Sequence, residues 1–566
     1  MNAAVYNTVA PPVRTRYGYA CGVTGPGTTT ANVRDRGARP PFDQRPAKQR
    51  HGRWLAAITL LVFAGCASAP LRPADRLRLS DADRLVRDGC HSCLVAARES
   101  YEQLAVGRAR HVVIPRLFDV NVLLALREAE LAMTPTDAVA RAAALASELP
   151  ADAEASFVLQ LVSVVPPDPA GTPRSEVRTL TPKLRAFATA NATTIVPTLQ
   201  RAALTPLLRD YLLASWTCMA TSVGISTAAA APSLPVNATP LLKYRMASCP
   251  VPLADALDDV VAAVPDFVEA AYLRARIPEL TVTAQVVTNQ RTRFAAAREA
   301  LPTSASVTYS LGSLSQTVGD CRAAITYYDA TLALRPGHED AALQRIVCLG
   351  YQGRHENAIN SATRAIDAGH DNMADALYWR AWNHRQLRQL PEARADVDRA
   401  LGVTTNARTL TLAGIVKYDQ KDLLLAERDL GSAIRMDRTQ CIARWYLALV
   451  SFEREDWVST GEDFAASAGC YRQSAEETEA QLERARAADL DLTFKTSQIA
   501  GFQAVIQEER SQEQASYLNA ANGFIRSDNF ARAREMLAGI PDSSMHAAGA
   551  RELRRYLDEL APRPER

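Results

Sequence analysis

The stretch LGSLSQTVGDCRAAITYYDATLALRP, Leu311 to Pro336, decides how the rest of this chain is read. It carries small and apolar residues at helical spacing, and its pattern recurs downstream. Aligned on Ala324, the later copies place Ala358, Ala393, Ala426 and Thr460 at intervals of 34, 35, 33 and 34 residues. That period belongs to helical solenoids. Four residues after each marker stands Tyr328, Ala362, Val397, Leu430 or Phe464, and seven after stands Thr331, Ala365, Ala400, Ala433 or Ser467. Spacings of four and seven share one helical face. Twelve before each marker comes Gly312, Ile346, Ala381, Gly414 or Ala448, mostly small, where two helices must cross closely. Each unit therefore reads as two antiparallel helices, and five units fill residues 304–473.

On these residues the segment resembles tetratricopeptide repeats, with Leu311, Gly312, Gly319, Ala324, Tyr328, Leu332 and Pro336 in the family's positions. ALYWRAWNHRQLRQLPEARADVDRAL and TLAGIVKYDQKDLLLAERDLGSAI keep the small and apolar positions and lose the closing proline. The resemblance implies an all-α fold: a right-handed superhelical solenoid of antiparallel helix pairs, preceded by a helical N-terminal region. It also implies an interaction scaffold, and it names no partner.

Outward from the repeats, QEQASYLNAANGFIRSDNFARAREMLAGIP resembles a sixth unit near 512–541, with Phe524, Phe530 and Ala533 in place, inside a C-terminal helical region 474–566. The last helix, about Ala547 to Leu560, reads as the polar cap an open solenoid end needs. Upstream, residues 251–303 are connecting helices, and 223–250 is a low-complexity linker (GISTAAAAPSLPVNATP) that divides the chain. Residues 66–222 are helical, with breaks at Pro115, Pro135 and Pro150, a loop at VVPPDPAGTPRSE, and one repeat-like hairpin near 82–104 that turns at Gly89.

The front of the chain has a different character. Residues 1–65 combine a Gly-, Pro- and Arg-rich lead that reads as disordered with a basic run (Arg45, Lys48, Arg50, Arg53) and the short apolar stretch LAAITLLVFAG. A dozen apolar residues are too few to span a bilayer and have the asymmetry of an export signal. VFAGC resembles the bacterial lipoprotein box, with Phe63 departing from the usual Leu or Val, and implies lipidation of Cys66. An ordinary cleaved signal or a chance apolar helix is the alternative. The resemblance implies an exported, lipid-anchored protein at the outer membrane of a diderm bacterium; the long lead fits a start codon placed too far upstream.

The formal charge of +2 spread over the helices offers no field for nucleic acid. Repeat geometry pairs Cys441 with Cys470 and Cys321 with Cys348; Cys218 and Cys249 flank the linker, and Cys90-His91-Ser92-Cys93 forms a local pair. At that last motif Leu94 replaces the His of a haem site, zinc lacks a second paired cluster, and a redox role wants a preceding strand. A structural bridge or idle thiols is the reading preferred there. His338-Glu339 and His355-Glu356 lack the second His of a metalloprotease helix. No catalytic residue, metal or cofactor is assigned, although 104–222 leaves room for a hydrolase domain.

The family's first helices line a concave side. In this register that side collects Tyr309, Tyr351, Tyr378, Trp382, Arg385, Tyr418 and Trp445, while Leu449 and Phe452 read as core. Aromatics beside an Arg suit an extended peptide ligand. For Trp382 and Trp445, packing between helices is an equal alternative. The function expected is a non-catalytic scaffold binding envelope proteins through this groove; a glycan-binding groove is the runner-up.

Overall fold

The computed structural model describes residues 71–149, 152–165, 168–202, 204–222, 238–248, 253–277, 284–487 and 492–560. The lead, the export signal, Cys66 and Cys249 lie outside them. Among the described residues there are only helices, turns and one isolated bridge, Met133 to Ser304. No helix among them is long and apolar enough to cross a membrane.

The N-terminal region opens with a hairpin, α1 (Pro73–Asp88) and α2 (His91–Ala105), whose turn residue Gly89 takes φ +77° and ends α1. Then follow α3 (Arg110–Glu130), α4 (Ala138–Ala146), α5 (Asp152–Ser163), α6 (Arg174–Asn191), α7 (Ile195–Arg201) and α8 (Pro206–Ser222). Pro115 does not break the chain as the sequence suggested. It sits inside α3, early enough to remove only one intrahelical bond, and a long buried face from Val113 to Glu128 holds the helix together. Next come α9 (Pro240–Ala247), α10 (Ala254–Ala263), α11 (Val268–Arg276) and α12 (Ala284–Ala300). Within the span read as linker, α9 packs on α1 and α8. Leu241 fills the space beside Gly89, and Glu269 of α11 pairs with Arg127 of α3.

The repeats occupy α13 (Ala305–Thr317), α14 (Cys321–Leu334), α15 (Glu339–Tyr351), α16 (His355–Asp367), α17 (Met373–Gln386), α18 (Leu390–Val403), α19 (Ala407–Asp419), α20 (Leu423–Met436), α21 (Cys441–Glu453) and α22 (Trp457–Ala487). Every marker residue, Ala324 to Thr460, is fully buried, and so is every residue four positions on. The position twelve before packs onto the position four after: a Cβ on Gly312 would lie 2.7 Å from the Tyr328 ring, and one on Gly414 2.5 Å from Leu430. Across the five units these pairs are Gly/Tyr, Ile/Ala, Ala/Val, Gly/Leu and Ala/Phe. Bulk on one helix is met by its absence on the other.

Each hairpin turns at a left-handed residue five before the marker: Gly319, Gly353, Arg388, Lys421 and Glu455, all with positive φ. Asp320, His338, Asn406 and Asp422 cap their helices by accepting a backbone N–H three residues on. The segment is thus a solenoid of tetratricopeptide type. Its end differs in shape from the sequence reading. α22 runs on past the fifth unit and returns as α23 (Leu492–Arg526), a long antiparallel pair that reaches α12. The last turns of α23 with α24 (Phe530–Ala538) repeat the hairpin once more, Asp528 being left-handed and Ala533 buried. α25 (Ala547–Leu560) closes on this unit through Ala550, Leu553 and Leu557.

The N-terminal region docks on the loop edge of the first repeats. Ser304 Oγ donates to Leu131 O (2.6 Å) and Arg335 to Met133 O (3.0 Å). The segment read as a free loop is part of this seam: Arg174 N donates to Glu339 (2.7 Å), and its guanidinium pairs with Asp340 (2.6 Å).

Candidate functional site

The seven groove positions named from the sequence do not form one open surface. Tyr378, Trp382 and Trp445 are buried. Tyr378 and Trp382 pack into the core between α15 and α19, and the Trp445 ring meets Phe464 edge-on at 5.2 Å. Their helix face is the one that must seal against the neighbouring hairpin, so the packing alternative holds for both tryptophans.

Arg385 and Tyr418 lie on the inner helices but are engaged within the protein. Arg385 Nε donates to Asp419 (2.6 Å) and an Nη to the Tyr446 hydroxyl (2.9 Å), tying α17 to α21 across an intervening repeat. Tyr418 donates to Glu453 (3.2 Å), which also receives Lys421 (2.9 Å). Tyr309 stacks on His338 with centroids 4.8 Å apart, at the seam with the N-terminal region. Burial pushes its hydroxyl up to about 12.

Tyr351 remains, 39% exposed, the most open aromatic of the set. It meets Trp379 edge-on at 5.5 Å, and Trp379 leads to a residue the sequence reading missed. Arg408, in the first turn of α19, lays its guanidinium 3.8 Å over the Tyr378 ring and 5.4 Å from Trp379. Its Nε and Nη2 have no hydrogen-bond acceptor on the protein. By contrast Arg380, Arg385 and Arg394 each hold an aspartate. Arg408 was legible only as one more helical arginine, because its distinguishing feature is the missing carboxylate. Tyr351, Trp379 and Arg408 thus place an exposed ring, a buried indole behind it and a cation whose Nε and Nη2 are buried without an acceptor along three successive inner helices.

Between Leu104 and Ser222 polar side chains do converge, sealed among themselves. Arg127, wholly buried, pairs with Glu130 (2.7 Å) and Glu269 (3.2 Å), while Tyr211 donates to Glu130 (2.8 Å). Arg127 also lies 3.9 Å over the Tyr244 ring. Among the described residues, no three His, Cys, Asp or Glu side chains are placed to hold a metal.

Cys90 is bonded to Cys93 and Cys441 to Cys470. Cys218 is disulfide-bonded too, and Cys249 lies outside the described residues. Cys321 and Cys348 correct the sequence pairing. The hairpin geometry does bring them together, but they stand as neighbouring free thiols. A hydrogen bond from Cys348 lowers the Cys321 thiol, while that bond and burial raise Cys348.

No family model matches the chain, and no curated protein does. Among solved structures it is similar to YrrB, described as a TPR protein with an unusual peptide-binding site, at 16% identity over 40% of this chain and 97% of that one, TM-score 0.27. It is similar to a tetratricopeptide repeat protein from Parabacteroides merdae at 16% identity, over 45% of this chain and 98% of that one, TM-score 0.28. A third is yeast Tom70, at 11% identity over 86% and 95% of the two chains, TM-score 0.29.

Proposed function

We infer that this chain is a non-catalytic interaction scaffold whose inner helices bind an extended, acidic segment of a partner protein at Tyr351 and Arg408. The observation that carries the reading is the arginine held flat on Tyr378 without a carboxylate. A guanidinium fixed by stacking has already lost its rotamer freedom, so an incoming carboxylate gains a charge-assisted bond at low entropic cost. The glycan reading loses support, since three of its stacking rings are core.

The wider setting is an envelope protein, exported and tethered through acylated Cys66. Bonded Cys90–Cys93 and Cys441–Cys470 fit an oxidising compartment. Two acyl chains or more would anchor it, at about 0.8 kcal/mol per buried methylene.

The test is mass spectrometry of proteins co-purifying from gently solubilised envelopes, comparing the wild type with a Tyr351→Ala, Arg408→Ala variant. These two positions leave the core intact, as Tyr378, Trp382 or Trp445 substitutions would not. A specific protein lost with the variant supports the scaffold; an identical set of proteins from both sinks the proposed surface. Metabolic labelling with a fatty-acid analogue, lost in Cys66→Ser, tests the anchor separately.

A further inference from the structure

The Cys90–Cys93 bridge is poorly placed as a staple. It joins residues three apart in one turn, whereas Cys441–Cys470 joins two helices across 29 residues. Closing so short a loop restrains the unfolded chain least.

Its two sulfurs are also unequal. Cys90 is the N-cap of α2 and is 1% exposed, packed with Tyr244, Leu257 and Phe267. Cys93, in the first turn, is only partly covered. The Cys90 sulfur already accepts the Cys93 backbone N–H at 3.0 Å and lies 3.2 Å from the Ser92 hydroxyl. Two carboxylates oppose it at His91: Glu269 accepts the backbone N–H at 2.5 Å, its charge met by buried Arg127, and Glu128 lies 4.0 Å from the imidazole Nε2.

We propose that Cys90–Cys93 is a thiol–disulfide exchange site, attacked at Cys93 and releasing Cys90. The partner is a thiolate reductant, small or carried on a protein. Its sulfur bonds to Cys93 Sγ as the Cys90–Cys93 bond breaks. The electron pair of that bond leaves on Cys90 Sγ, where a thiolate finds the Cys93 N–H, the Ser92 hydroxyl and the positive end of a fifteen-residue helix already in place. A second thiolate attacks the reductant's sulfur, releasing its disulfide and freeing Cys93. Two thiols are oxidised, the bridge is reduced by two electrons, and the two protons end on Cys90 and Cys93. A stabilised leaving thiolate and access at the other sulfur are what speed such exchange.

The experiment needs no variant for its first arm. Full-length protein is equilibrated in graded glutathione buffers, quenched with acid and alkylated, and each cysteine is read by peptide mass spectrometry. Cys90 and Cys93 should become reduced under conditions that leave Cys441–Cys470 at least tenfold more oxidised. If Cys90–Cys93 resists as well as or better than that bridge, the proposal is overturned. A second arm follows glutathione adduct formation in Cys90→Ser and Cys93→Ser, each checked for its helical circular dichroism. Adduct should form on Cys93 at least tenfold faster than on Cys90, and the reverse order would overturn the assigned direction of attack. Reduced thioredoxin-type protein dithiol, run beside glutathione, distinguishes a protein donor from a small one. Neither arm depends on the binding surface at Arg408.

Discussion

Single residues carry the repeat register, and some of them do so under strain. Gly353 turns its hairpin with φ +71° and open space around it, while Arg388 performs the same turn at φ +60° with a Cβ. The left-handed region costs a non-glycine residue about 1 kcal/mol. Gly353→Ala should therefore lower stability by about 1 kcal/mol in denaturant melts, and Arg388→Gly should raise it by about 0.5 kcal/mol once glycine's greater unfolded freedom is subtracted. If both substitutions shift stability in the same direction, the shared-turn reading fails. Asp119 shows strain of another kind. Buried in α3 and held by the Thr205 N–H at 3.2 Å, its carboxyl is pushed up by burial to about 7. Between about pH 4 and 7 the folded chain keeps a proton that the unfolded chain has released, so stability falls as pH rises through this window. The ceiling is about 4 kcal/mol, at about 1.4 kcal/mol per unit. Asp119→Asn keeps the acceptor without the charge. Its melting temperature should exceed the wild type's at pH 8 and match it near pH 4, and a constant difference across pH would refute the assignment.

At the scale of elements, what the sequence showed was whatever repeats. The markers, their partners four residues on and the small positions twelve before were readable because period and size together specify a helix crossing. The crossing's rule makes a sharp prediction. Gly414 faces Leu430 in the fourth unit, and Ile346 stands in the same relation to Ala362 in the second. Gly414→Ile alone overpacks and should cost about 3 kcal/mol; Leu430→Ala alone leaves a cavity and should cost about 2–5 kcal/mol. Together they recreate the second unit's pair, so the double variant should be more stable than the sum of the two losses by at least about 1 kcal/mol. Strict additivity would mean that the two positions do not form one contact. What could not be read was the exposure of the aromatics: Trp382 and Trp445 have the same spacing whether they line a groove or seal a hairpin. The same holds for Pro115, whose helix survives because of the buried face around it, and for Arg408, whose interest lies in a partner it lacks. The paired thiols of Cys321 and Cys348 show the limit from the other side, since adjacency followed from the repeat and bonding did not.

The whole molecule is organised by a seam that leaves no periodic sign in the sequence, between the N-terminal region and the loop edge of the first repeats. A stretch rich in proline reads as a loop from its composition, yet Asp168 to Arg178 forms part of this seam because its backbone and charges meet complementary groups there. His338 is its pivot. The imidazole Nδ1 accepts the Ala341 N–H at 3.1 Å, which caps α15, so Nε2 carries the proton and donates to Ala170 O at 3.0 Å. The Nδ1 cap requires the neutral ring, whereas Nε2 can donate to Ala170 O in either charge state; burial lowers the His338 pKa despite that bond and the nearby charges of Asp340 and Glu339. Above the unfolded value, about 6.5, the neutral form is present in both states and the seam keeps its full strength. As pH falls below that value the unfolded chain gains a proton that the folded chain resists, so the contribution is lost on acidification. His338→Asn preserves a capping oxygen but cannot titrate, and it is too short to reach Ala170. Hydrogen exchange should therefore show the amides of Gly171 to Ser175 in the wild type losing protection between pH 7 and pH 5, after correction for intrinsic rates. In His338→Asn the same amides should be less protected at pH 7 and change little with pH. Equal pH dependence in the two proteins would show that another group controls the seam.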